Sequence, residues 1–473
     1  MNDLSSTPTK RRNRAAPENL ASANIWRLML RLGLPATAGL SINAAHHTIN
    51  MVFVGMIGSH EIAAVLIVLP ILMMFAALGE GLGVGVATEA GRALGCDDFD
   101  RANGIGTMTL WAGLGLGALA SLITLAFASP LLRVFGATDA ILPEAERYLW
   151  IAAFSLPLTM AQIILDFLAI AEGNARFSMW TLIACFTLNI VLDPLMIFGF
   201  GLGLQGVAIA TILSQFVALG AYGYYHRKHL GIIRLTLWPN LRKIRSVIPV
   251  LTIGAPTTAA SLVTAAAVAM ILAIAGHYRG EDGIAGVGIA LRLLAAGTLP
   301  IIGISLGAQA ILSFAWGAKD TERVLAASKI LLTMTSGMAV VYALCVMIWH
   351  EQAAMLFTTD PNVILIASPA ILVNHAPLLL FGLRQTTLVL IQAQGRARLS
   401  MLLGLAPNGY LLFPLLVVFV PAYAFNGLLA AILLSSLLAG LIALVALRRT
   451  LHALKHPASA LHPSMRPAPR FCP

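Results

Sequence analysis

Phe177-Ser-Met-Trp-Thr-Leu-Ile-Ala-Cys-Phe-Thr-Leu-Asn189-Ile-Val-Leu-Asp193-Pro194-Leu-Met-Ile-Phe-Gly-Phe200 is an apolar run long enough to cross a bilayer, and it carries one carboxylate. An acid at that depth costs about 2.5 to 3.5 kcal/mol on insertion scales, so Asp193 is expected to face protein or a water-filled cavity. Asn189 lies four residues earlier on the same helix face, where its amide reaches the carboxyl group. Pro194 has no N–H, which leaves the carbonyl of Ile190 without its helical partner beside the acid. The stretch reads as a protonation or cation-binding point; the competing reading is a polar pair that joins two helices.

The rest of the chain sets that helix among others like it. Of 473 residues, 59% are hydrophobic and 11% charged, with a mean hydropathy of +0.86, values outside the range of soluble globular proteins. Lys and Arg number 30 against 20 Asp and Glu, a net charge of +10. A single basic patch of that size would suggest nucleic acid, but these residues are spread over many loops, and no nucleic-acid partner is expected. The four cysteines show no CxxC or metal-ligand spacing, so neither a disulfide framework nor a zinc site is expected, and no cofactor is implied.

Twelve apolar runs, at about 28–57, 62–92, 104–132, 145–171, 177–200, 205–226, 246–277, 284–316, 324–349, 364–392, 398–421 and 425–447, have the length of spanning helices. The fold class is therefore all-α integral membrane, with twelve transmembrane helices in two parallel-repeat six-helix lobes. The polar break at 227–245 divides an N-lobe (24–226) from a C-lobe (246–447), with tails at 1–23 and 448–473. With the N-terminus cytoplasmic, only Arg133, Arg147 and Arg279 fall on the outer side, and Arg292 and Arg384 lie within runs. That imbalance places both termini in the cytoplasm. Long uninterrupted runs exclude a transmembrane barrel.

A shift of 222 residues aligns the halves. Gly81, Gly85 and Gly95 fall on Gly303, Gly307 and Gly317, Arg101 on Arg323, and Gly173 on Gly395; with a one-residue change, Gly33 and Pro35 match Gly254 and Pro256. Six spans per half put the two halves in the same orientation, about an axis along the membrane normal, around a central site that opens alternately to the two sides. Acids within or at the ends of runs are confined to the first half: Glu80, Glu89, Asp166, Glu172 and Asp193. The second half has Leu388 opposite Asp166, and Pro or Leu near 415 opposite Asp193.

On Phe53-Val54-Gly55, Gly91-Arg92-Ala93-Leu94-Gly95, Ala171-Glu172-Gly173-Asn174, Asn189 with Leu192-Asp193-Pro194, Gly206-Val207-Ala208, Gly317-Ala318-Lys319 and Gln392-Ala393-Gln394-Gly395, the chain resembles the multidrug and toxic compound extrusion (MATE) family. The resemblance implies a twelve-helix, two-lobe antiporter that expels amphiphilic, often cationic compounds against inward-flowing protons or sodium ions. It places the ion-coupling site on Asn189, Asp193 and Thr211, with Gln162 near a helix 4 position of the same site. Many members have an aspartate before the Phe-Val-Gly end of helix 1, where this chain has Asn50. An amide cannot exchange a proton, and nearby His46 and His47 include a titratable substitute, His47 sharing a face with Asn50.

Asp166 and Glu80 are the candidates for contact with a cationic substrate in the cavity, whereas Glu89 and Glu172 stand where snorkelling or loop salt bridges explain them. Gly303-Ile-Ser305-Leu-Gly307 matches a serine-hydrolase elbow but lies within a helical run without a preceding strand, so an enzyme is not expected. The expected function is secondary active multidrug efflux by a monomer in the bacterial inner membrane. A lipid or lipid-linked sugar flippase of the same superfamily is the nearest alternative, and a membrane-embedded enzyme a more distant one.

Overall fold

A computed structural model describes residues 20–455, apart from Ser22, Gly136, Leu237 and Asn240. Residues 1–19 of the expected N-terminal tail and 456–473 of the C-terminal tail lie outside the described residues. The N-lobe holds α1 (Ile25–Ile57), α2 (Ser59–Gly95), α3 (Phe99–Ala126), α4 (Leu142–Ala153 and Ser155–Ala171, bent by 45°), α5 (Ala175–Pro194) and α6 (Gly203–Arg227). In the C-lobe, helix runs over Val247–Gly317 but turns back at Gly280, whose φ of 62° no helix tolerates, and so forms α7 and α8. Next come α9 (Thr321–Ile348) and α10 (Pro361–His375 and Phe381–Ala393, joined by a 3-10 turn). α11 starts at Ala397–Leu405 and leads to a second turn at Ala424 (φ 51°), where α12 begins and runs to Lys455.

The caps are local and legible. Asn24 accepts from the backbone N–H of Trp26 (3.0 Å) to start α1, and Asp98 from that of Arg101 (3.0 Å) to start α3. The duplication is written into the backbone at the same offset: Asp320 caps α9 through Arg323 N–H (2.9 Å), as Asp98 caps α3. Asp97 and Lys319 both take φ 57°, and Gly173 and Gly395 take φ 85° and 72°. A short helix follows α3 at Ala128–Val134, and its counterpart His350–Met355 follows α9.

The lobes meet along a seam of glycines. α1 packs on α8 and α2 on α7, in the paired arrangement that a two-fold axis between the lobes requires. A β-carbon on Gly81 would stand 2.9 Å from the carbonyl oxygen of Gly254, one on Gly303 would stand 2.5 Å from Thr37 Cα, and one on Gly307 would stand 2.6 Å from Gly33 N. The small-xxx-small spacings of α2 and α8 thus let backbones touch where no hydrophobic drive between helices exists. Thr258 Oγ1 donates across the seam to the Ala77 carbonyl (3.1 Å), and Thr37 Oγ1 to that of Pro300 (3.3 Å).

Toward the end of the molecule that carries Arg101 and Arg323, several side chains cross between the lobes, among them Cys96 Sγ to the Gly317 carbonyl (3.2 Å) and Gln309 Nε2 to Thr88 Oγ1 (2.8 Å). Arg92, on α2 and 1% exposed, donates from Nε (2.9 Å) and Nη2 (2.7 Å) to the carbonyl of Ala393 and from Nη2 (3.1 Å) to that of Gln392. These are the last carbonyls of α10, where the helix dipole favours a cation. Glu89 holds the guanidinium in place through Nη1 (2.5 Å) and also takes Arg101 (3.2 Å). Glu89 is therefore a buried, doubly paired acid and not a snorkelling one.

Candidate functional site: a polar interior in the N-lobe

α5 is inside out for a soluble protein and correct for a membrane one. Its outward face carries large apolar residues, with Trp180 and Val191 exposed. Ser178, Thr181, Cys185, Asn189 and Asp193, spaced by three or four, are buried in the lobe. Asp193 is 0% exposed. Pro194 ends the helix, and Leu195–Gly199 follow as a π turn, the wide form that tends to mark functional sites. Gly206 of α6 fits under that turn, since a β-carbon there would lie 2.8 Å from the Met196 carbonyl carbon.

Asn189 organises the contacts. One end of its amide lies 2.5 Å from His46 Nε2 and 3.2 Å from Asp193 Oδ2; the other lies 3.1 Å from Thr211 N and 3.5 Å from Thr211 Oγ1. With its nitrogen toward His46 and Asp193, the amide donates to both and its oxygen faces the Thr211 N–H, so every atom has a complementary partner. Three helices, α1, α5 and α6, therefore meet at one side-chain amide. No arginine or lysine pairs with Asp193 among the described residues.

The structure sorts the sequence candidates. It brings Asn189, Asp193 and Thr211 together. Helix 1 reaches them through His46, not His47: His46 is buried and stacks on Phe186 (4.6 Å between centroids), while His47 is exposed. Asn50 stands beside His46, with its Nδ2 3.4 Å from the ring Nε2. The signal for His46 lies in the sevens Leu32, Gly39 and His46, which share one buried face of α1. Gln162 is buried in the lobe on α4, one turn before Asp166. Asp166 does not line the space between lobes; it is buried inside the N-lobe, where Ser178 Oγ (2.9 Å) and the Tyr222 hydroxyl donate to it. Glu80 does reach the seam, accepting from Ser261 of α7 (3.1 Å).

Glu172 follows α4 at the basic end. Its carboxylate accepts from the backbone N–H groups of Ile232 (2.9 Å) and Ile233 (3.1 Å) and from the Tyr225 hydroxyl (3.1 Å), tying the interlobe segment to the N-lobe. Burial pushes its carboxyl up to about 7, and the three donors hold it from going higher. The sequence predicts snorkelling or a loop salt bridge at this position; backbone amides take that place.

A family model described as MatE matches residues 35–195 and 256–418, two stretches that start at the repeat-related Pro35 and Pro256. The multidrug export protein MepA of Staphylococcus aureus (strain N315) is 26% identical over 429 residues, covering 89% of this chain and 93% of that protein. Among solved structures, a MATE crystallised in the bent conformation superposes with a TM-score of 0.87 at 23% identity, over 93% of this chain and 98% of that one. An outward-facing multidrug resistance MATE family transporter of the MOP superfamily superposes with a TM-score of 0.84 at 24% identity, over 92% and 98%.

Proposed function

Because the chain belongs to the MatE family, we propose that it is a secondary active multidrug exporter that moves amphiphilic, cationic small molecules out of the cell in exchange for protons, with Asp193 as the coupling carboxylate. The observation that carries this reading is Asp193 itself: a fully buried acid within a spanning helix, bridged by Asn189 to α1 and α6 and, among the described residues, paired with no arginine or lysine. Such a group is costly as a fixed charge and useful as one that gains and loses a proton. Its neighbours suit that use, since the Asn189 amide and Thr211 hydroxyl offer either a donor or an acceptor.

In the proposed cycle, the lobes alternate about the glycine seam. Substrate enters the space between them from the cytoplasm or inner leaflet and meets Glu80 on α2. A proton arriving at Asp193 from outside changes what Asn189 must offer, and α1, α5 and α6 repack around the Pro194 bend. Substrate then leaves. The MepA relative, named for multidrug export, supports the substrate class. The basic end faces the cytoplasm of a bacterial inner-membrane protein acting as a monomer.

Purified protein in vesicles loaded with a fluorescent cationic dye tests this directly, with a pH gradient or a sodium gradient imposed separately. Wild-type protein drives efflux with the pH gradient alone, and Asp193→Asn binds dye but drives none. Ion-driven efflux by Asp193→Asn at the wild-type rate sinks the coupling assignment, and efflux driven only by sodium replaces the proton with a metal cation.

A further inference from the structure

Four acids are buried inside or at the ends of the N-lobe helices, and they fall into two kinds. Glu89 is held by two arginines, and Glu172 by two backbone N–H groups and a tyrosine. Arginines and backbone amides can only donate, so they meet carboxyl oxygens and have nothing with which to accept the hydrogen of a protonated acid. Asp193 and Asp166 have neither kind of partner among the described residues. Among the described residues, Asp166 accepts only from hydroxyls, those of Ser178 and Tyr222. A hydroxyl donates to a carboxylate and accepts from a carboxylic acid, so this pocket serves both protonation states. The titratable groups facing Asp166 are Tyr222 of α6 and Cys185 of α5; among the described residues no lysine, arginine or histidine contacts it.

We propose that Asp166 is a second proton-binding site of the N-lobe, taking up the proton that Asp193 releases and passing it toward the basic end. The inference rests on proton coupling at Asp193. Both acids open onto the buried face of α5, near its opposite ends: Asn189 touches Asp193, Ser178 touches Asp166, and Cys185 is buried on that face between them, with Gln162 buried one turn before Asp166 on α4. Ser178 and Asp193 stand about 22 Å apart along that helix. Polar groups one turn apart on the face are spaced for bridging water. The step balances simply: the Asp193 carboxylic acid becomes a carboxylate, the Asp166 carboxylate becomes a carboxylic acid, and one proton moves inward.

The C-lobe argues against a purely structural role. It packs the corresponding helices with Leu388 in place of Asp166, and Ser400, the counterpart of Ser178, is buried there with no hydrogen-bond partner among the described residues. The fold forms without the pair, so something other than packing accounts for an acid on this side.

Asp166→Asn keeps the size and the acceptor oxygen but cannot carry a proton. In vesicles, it should bind dye and exchange dye for dye at the wild-type rate, while pH-driven efflux slows at least tenfold, and Asp166→Glu should restore most of the rate. Undiminished pH-driven efflux by Asp166→Asn overturns the proposal, as does a parallel loss of dye exchange, which marks a structural defect. If Asp166→Asn does not fold, Tyr222→Phe retains the acid and should displace the pH profile of efflux by about one unit; an unmoved profile overturns the proposal. A harmless Asp166→Asn beside an inactive Asp193→Asn refutes this site alone, whereas two harmless variants refute the coupling reading beneath it.

Discussion

The two lobes share a backbone and differ in what they enclose. Equivalent caps, equivalent left-handed residues and equivalent short helices place them in one architecture. Inside, the N-lobe carries His46, Asn50, Asp166 and Glu172, while the corresponding C-lobe positions hold Ala267, Ile271, Leu388 and Gln394. Membrane helices associate through close packing of small residues, which both lobes retain, so these particular N-lobe groups are not a requirement of the fold. On the proposed function, the duplicated frame frees one copy to carry ions while the other supplies a matched surface to move against.

The Arg92 contact at the basic end, which has no arginine counterpart in the repeat, gives the sharpest test of that asymmetry. Arg92 belongs to the N-lobe and ends on C-lobe carbonyls, and its counterpart in the C-lobe is Phe314. Arg92→Ala leaves Glu89 buried with Arg101 alone and the end of α10 uncapped. Loss of one partner of a buried ion pair costs about 3 to 5 kcal/mol, and thermal unfolding in detergent should register a larger drop than a valine at either seam glycine produces. Phe314→Ala should cost less, and equal losses would mean that the two lobes contribute alike to this contact.

Where the lobes are alike, equivalent substitutions should act alike. A valine at Gly81 drives its branch into the Gly254 carbonyl, and one at Gly303 meets Thr37. Overpacking of this kind costs about 1 to 3 kcal/mol. Gly81→Val and Gly303→Val should therefore lower the unfolding temperature by similar amounts and both slow transport, because each wedges one arm of the same seam. A large effect at one and none at the other would break the symmetric account of lobe contact.

Much of this architecture is legible in the chain. Twelve spans, two lobes and the 222-residue repeat follow from run length, glycine register and the distribution of arginines, because bilayer thickness and charge are blunt constraints. Asn189, Asp193 and Thr211 are legible as a group only with the family resemblance, since nothing in the spacing of α5 and α6 states that they touch. What escapes is orientation within a helix. His47 and Asn50 look paired on a helical wheel, yet the packing of α1 against α5 turns His46 inward. Asp166 looks like a cavity residue because an acid in an apolar run suggests a water-facing position, and sequence cannot show that Ser178 and Tyr222 close around it.

Glu172 and Gln394 offer the smallest expected effect and the cleanest contrast, an acid and its amide isostere at the same place in the repeat. The Glu172 carboxyl is pushed up to about 7 by burial, from an ordinary value of 4.5. A folded state that holds a proton more tightly than the unfolded chain is favoured by that proton below about pH 4.5 and loses the advantage as pH rises through about 7. Glu172→Gln has nothing to ionise, so its unfolding temperature should rise relative to wild type by a few degrees between about pH 5 and pH 8. The variant keeps an acceptor for only part of the Ile232, Ile233 and Tyr225 donor set, so it should start below wild type at the acid end and close the gap as the wild-type acid ionises. A gap that widens with pH would mean that the three donors favour the carboxylate enough to outweigh its burial, making Glu172 a fixed anionic clamp on the interlobe segment in the manner of Glu89.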